Sequence, residues 1–168
     1  MHKPLLIGAS LVLLSTIPAF ACTAITSKTV ALSGCVETEW QAGTGTGAQE
    51  FVYTTADQNY GLMVITEKDA FAATAFHDAI LANAVAGAGG KKEDIKVVSE
   101  RVENVDGKPF NVLEYTLANS GQPILFQNFY YSQPGYGSVQ ILSYSLETDA
   151  IAAAYKAGVF NATVKLSN

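Results

Sequence analysis

Histidine and arginine are almost missing from this chain. His77 is the one histidine beyond the second residue, and Arg101 is the one arginine. Side-chain hydrolytic and transfer chemistry usually recruits a histidine as its base, and no G-x-S-x-G elbow surrounds Ser33, Ser120 or Ser138. The cysteines Cys22 and Cys35 stand too far apart for a C-x-x-C redox pair. With so little histidine they are also too few for a zinc site. Glu93-Asp94 and Asp57-Gln58-Asn59 do not make the alternating acidic loop that calcium takes. The sequence therefore offers no catalytic, cofactor or metal motif.

Basic clusters and long apolar runs are equally scarce. The single long apolar run, residues 5–17, follows His2-Lys3 and is broken by Pro18 ahead of Ala19-Phe20-Ala21, a small-x-small cleavage pattern. Residues 1–21 are thus expected to be an export signal and residues 22–168 one mature domain, with no transmembrane span. Loss of Lys3 leaves nine Lys or Arg against fifteen Asp or Glu, a net charge of −6. Such a chain repels phosphate backbones, so nucleic acid is not an expected partner. Lys91-Lys92, after the glycines at 87, 89 and 90, reads as a solvated loop.

For an exported chain the economical reading of Cys22 and Cys35 is one disulfide. The alternative is a lipid on Cys22 as the first mature residue, against which Ala19 and Phe20 stand where a lipoprotein signal carries a Leu-like and a small residue. Either reading sets the protein in the periplasm or outside the cell.

Strand signals dominate what remains. Residues 29–36 are rich in β-branched and apolar side chains, and Trp40 follows. Gly43-Thr44-Gly45-Thr46-Gly47 lacks the G-x-G-x-x-G spacing and precedes Phe51-Val52-Tyr53, a strand, so it reads as a hairpin connection and not a phosphate loop. Residues 60–67 form a strand. Asp69 is expected to cap a helix running to about Ala86, with Ala73, Phe76, Ile80 and Ala84 as a narrow apolar stripe. Segments 95–103, 110–117, 124–132 and 138–146 are strands separated by Asp106-Gly107, Asn119-Ser120-Gly121 and Gln133-Pro134-Gly135, which is an antiparallel meander. Leu125, Phe129 and Tyr131 fall on one side, Phe126 and Tyr130 on the other, so the sheet needs cover on both faces. Asp149 is expected to cap a closing helix with Ile151, Ala154 and Tyr155 on one side, reaching about Gly158 or a little beyond. Residues 159–166 fit either a last helical turn or a short edge strand.

Among single residues, His77 beside the stripe reads as a half-buried helix histidine bonded to a neighbour. Glu114 is the acid to inspect for a carboxylate pair, and its plainer reading is a salt bridge, with Arg101 as a partner. Phe126, Phe129, Tyr130 and Tyr131 read as core aromatics. Tyr136 in its Pro-Gly turn and Trp40 are the candidate contact residues.

The strand-to-helix passage Tyr60-Gly61-Leu62-Met63-Val64-Ile65-Thr66-Glu67 into Phe71, and the stretch from Asn104-Val105-Asp106-Gly107-Lys108-Pro109 through Leu113-Glu114-Tyr115, resemble the PsbP-like and DcrB-like superfamily of exported domains. Phe129-Tyr130-Tyr131 and Ser143-Tyr144-Ser145 continue the likeness, which covers residues 51–166. It implies an α+β single domain, an antiparallel sheet flanked by helices as an α-β-α sandwich, in proteins that are mostly non-catalytic accessory or binding modules without an active site to transfer. The expected function is accordingly an exported, non-catalytic binding or accessory protein that meets an envelope protein. The alternatives are a carrier of a small apolar ligand and, behind it, a carboxylate-dependent hydrolase.

Overall fold

The computed structural model describes residues 21–118 and 121–167. The expected export signal, residues 1–21, lies outside them except for Ala21, as do Asn119 and Ser120 of the expected third turn.

Three strands open the described chain: β1 (Cys22–Thr26), β2 (Leu32–Glu37) and β3 (Trp40–Ala42). Then come β4 (Gln49–Thr55), β5 (Tyr60–Glu67), α1 (Ala73–Gly87), β6 (Ile95–Val105), β7 (Lys108–Leu117), β8 (Ile124–Gln133), β9 (Gly137–Leu146), α2 (Ala150–Thr163) and β10 (Lys165–Leu166). The main sheet is antiparallel with seven strands in the order β3-β4-β5-β9-β8-β7-β6. A small sheet, β1-β2-β10, stands beside it. The chain leaves β5 in mid-sheet, crosses one face as α1 to the far edge, and returns strand by strand as the meander β6 to β9, which closes on β5.

Because side chains alternate across a strand, the register sorts the two faces. Val64, Ile141, Phe129 and Val112 stand opposite one another along one row. They are buried with Phe160 of α2 and with Leu32 and Val36 of β2. The next positions, Leu113, Tyr115 and Tyr130, face the other way and meet Ile80 and Ala84 of α1. The two helices thus take opposite faces, as the aromatic parity of β8 requires.

Three local expectations are corrected, the first of them the Asp149 cap, since no side-chain bond caps α2. Asp69 does not cap α1: the helix begins at Ala73 behind an extended Ala72 without a side-chain cap, and the backbone oxygen of Asp69 accepts the Ser138 hydroxyl instead. The expected side of α2, with Ile151 and Tyr155, faces solvent; Ala153, Ala157 and Phe160 are the buried set. Alanines at i and i+4 let the helix approach the sheet, and Phe160 fills the space beyond them. The residues after Gly158 resolve as helix to Thr163 followed by two residues of strand, with Lys165 opposite Ser33 and Leu166 opposite Leu32. β1, absent from the sequence reading, pairs with β2.

Candidate functional site

Glu114 lies on the α2 face of the sheet, in a polar row that crosses three strands. Ser143, Gln127 and Glu114 are opposite one another in register, with Ser99 next. Gln127 Nε2 donates to Glu114 Oε1 at 2.8 Å, and the Ser143 hydroxyl donates to Gln127 Oε1 at 3.4 Å. Arg101 closes the row: Nη1 lies 2.8 Å from Glu114 Oε1 and Nε donates to Glu103 Oε1 at 2.6 Å. Burial works against the guanidinium charge, but the bonds to Glu103 and Glu114 outweigh it and raise its pKa. The salt bridge expected of Glu114 is present.

A cavity of about 350 Å³ opens where this row meets α2. Arg101, Glu103, Gln127 and Phe129 form its sheet wall; Gly158 and Asn161 stand on the helix wall. Asp106 and Lys165 hold the rim, 2.9 Å apart. The side-chain oxygen of Asn161 is buried and has no hydrogen-bond partner, a costly state for an acceptor.

On the opposite face a shallow apolar groove follows α1. Two adjoining cavities of about 310 and 330 Å³ share Ile65, Asn83 and Gln140. Ala75, Ala79, Asn83 and Gly87 recur every four residues along the helix wall. Beneath them Asn128 is fully buried, taking a bond from Gln140 Nε2 at 2.7 Å. Burial raises the pKa of Tyr115, against its bond to Asn128.

The remaining predicted residues do not converge. His77 sits on α1, with Nδ1 3.2 Å from Asp78 and Nε2 3.6 Å from Glu100. Because α1 and Glu114 occupy opposite faces, His77 and Glu114 never meet. Trp40, expected at a contact surface, is buried beside Leu62, Ala153 and Ala157. Tyr136 is half-buried, its ring edge-on to Tyr131 and its hydroxyl donating to Ala31 O at 3.3 Å. Burial and the neighbouring Tyr131 push its pKa up to about 12, so it remains a donor. Cys22 and Cys35 are disulfide-bonded, with Cα atoms 5.6 Å apart across β1 and β2. Among the described residues no group of three or more His, Cys, Asp or Glu gathers to hold a metal ion, and no helix is long and apolar enough to cross a membrane. Sequence reasoning missed the Asn161 and Gly158 wall, because nothing local says which side of α2 meets the sheet edge.

A seven-stranded antiparallel sheet with a small accessory sheet and one helix on each face is the PsbP-like α+β fold. The chain is similar to the solution structure of cyanobacterial PsbP (CyanoP) from Synechocystis sp. PCC 6803, with a TM-score of 0.65 at 11% identity over 96% of this chain and 99% of that one. It is similar also to LpqN of Mycobacterium tuberculosis, described as involved in cell envelope biogenesis, with a TM-score of 0.54 at 14% identity over 88% and 91% of the two chains. A protein of Bacteroides thetaiotaomicron matches with a TM-score of 0.53 at 10% identity, over 82% of this chain and 45% of that one. No protein-family profile and no curated protein sequence matches the chain.

Proposed function

We propose that this protein is exported and works at the cell envelope as a non-catalytic binding or accessory module, through contacts with another protein. The observation that carries the reading is the outer side of α2. Ile151 and Tyr155, one turn apart, are 90% and 74% exposed. A large aliphatic and an aromatic side chain side by side in solvent are the chemistry of an interface anchor. The disulfide supports an oxidising compartment, and the export pattern of residues 1–21 supports the same address. The separation of His77 from Glu114, and the commitment of Glu114 to Arg101 and Gln127, favour a non-catalytic role.

Photo-crosslinking in the native host tests it, with a benzophenone side chain at position 155 and a control at exposed Val98. A defined adduct from 155 alone, on protein recovered from the extracytoplasmic fraction, is the expected result. Retention in the cytoplasm, or hydrolytic activity lost on Glu114→Gln, overturns the reading.

The groove along α1 favours a second reading, a carrier of a small apolar ligand, since its cavities reach the roughly 300 Å³ at which small-molecule sites begin. Native mass spectrometry of protein from its own host decides it: a separable adduct supports a carrier, and bare protein opposes one.

A further inference from the structure

We propose that the cavity between α2 and the Arg101 row binds a neutral polyhydroxylated ligand, a saccharide unit of one or two rings. The charge pattern gives the class. Both cations at the cavity are already paired: Arg101 with Glu103 and Glu114, and Lys165 with Asp106. The lining balances, Glu103 and Asp106 against Arg101 and Lys165, so an anionic ligand would compete with the carboxylates for these cations and a cationic one would compete with the cations for the carboxylates. A neutral ligand displaces no ion pair.

The hydrogen-bonding pattern narrows the class further. Glu103 and Asp106 bring carboxylate acceptors to the lining, and a carboxylate has about four lone-pair sites, more than its ion pair uses. Lys165 Nζ, bonded to Asp106, and the Arg101 guanidinium, with its five N–H groups, bring the donors. The wall therefore offers donors and acceptors within one cavity, and a hydroxyl serves both because it donates once and accepts twice. Between these groups the lining is Phe129, Val105, Val164 and the alanines of α2, which suits the C–H faces of a sugar ring. Gln127, bonded to both Glu114 and Ser143, holds the polar floor in one geometry before any ligand arrives, which lowers the ordering cost of binding. At about 350 Å³ the cavity is at the small end of the roughly 300–1,000 Å³ range of ligand sites, enough for one ring or two.

Gly158 makes the test clean. It lies within α2 and lines the cavity, and a Cβ built there meets no atom within 4 Å. Gly158→Leu therefore adds a side chain at the cavity wall without a clash at its Cβ. Ala162→Leu, at an exposed lining position, is the second blocking variant should the first misfold. The experiment is a ¹H–¹⁵N NMR titration of the mature chain with glucose, N-acetylglucosamine and maltose, each added separately. The expected result is saturable shifts at the Asn161 and Gln127 amides and at Arg101 Nε for at least one sugar, weakened about tenfold or more in a folded blocking variant. No saturable shift with any of the three overturns the proposal. So do shifts that persist in the blocking variants, or shifts centred on α1.

Discussion

Arg101 of β6 and Glu114 of β7 are bound to each other at 2.8 Å, with the carboxylate 14% exposed and the guanidinium 36%. Removing the arginine leaves Glu114, among the described residues, with Gln127 as its side-chain partner. Arg101→Met is expected to lower stability by about 1–3 kcal/mol, the usual cost of orphaning a half-buried polar group. Glu114→Gln should cost less, because the amide oxygen still accepts from both neighbours. Urea unfolding of the two variants checks the order.

The two sides of α2 should respond in opposite ways. Phe160, 2% exposed, is expected to cost about 3–5 kcal/mol on truncation to alanine. Ile151→Ser and Tyr155→Ser, on the solvent side, should stay within about 0.5 kcal/mol of the parent while removing the proposed contact. Comparable losses on both sides would mean that α2 is rotated about its axis.

The disulfide ties β1 to β2 at a sequence separation of 13. A double Cys22→Ser, Cys35→Ser variant is expected to lose roughly 3 kcal/mol on the chain-entropy account. The main sheet has no covalent tie and should keep its circular dichroism. Urea midpoints for parent and variant measure the difference.

Glu50 joins the β1–β2 connection to β5. Burial pushes its carboxyl up, but the Lys28 N–H and the hydroxyls of Ser27 and Thr66 outweigh burial and hold it below its ordinary value. A folded pKa below the unfolded one stabilises above the unfolded value, and that stability is lost as pH falls through the folded pKa. Thermal unfolding should therefore show Glu50→Gln below the parent at neutral pH, with the gap closing in acid. Asp106, whose pKa is lowered by the Leu166 N–H and by Lys165, should behave in the same direction and loosen β10 first.

Gly137 has φ +105°, and a Cβ there would meet the backbone oxygen of Glu67 at 2.4 Å. Gly137→Ala is expected to destabilise by about 1–3 kcal/mol. Gly158→Ala, in a helix with open space, should instead stabilise by about 0.5–1 kcal/mol. Thermal melts of the pair separate the two kinds of glycine.

The central strands were legible almost to the residue. The sequence reading of β5 at 60–67 and of the meander matches β5 to β9 within one or two positions at most ends, because turn residues and alternating side chains act locally. The Gly-Thr run is the β3–β4 connection it resembled. α1 lost its first turn because Asp69, the apparent cap, spends its backbone on Ser138 across the sheet. β1 was invisible because five residues with one buried side chain carry too little alternation to read.

By itself the order of amino acids determined which segments are strands, that both faces of the sheet carry apolar side chains, and that histidine chemistry is scarce, since all three follow from local pattern and composition. Only the tertiary structure decided which side of α2 is buried. A helix with Ile151 and Tyr155 on one side and Phe160 on another carries two candidate stripes, and the choice between them rests on the shape of the sheet it meets. The same docking sets Asn161 and Gly158 across a cavity from Arg101, sets Glu114 and His77 on opposite faces and takes Trp40 into the core. Those distances depend on residues far apart in sequence, packed at contact range, which no local pattern encodes.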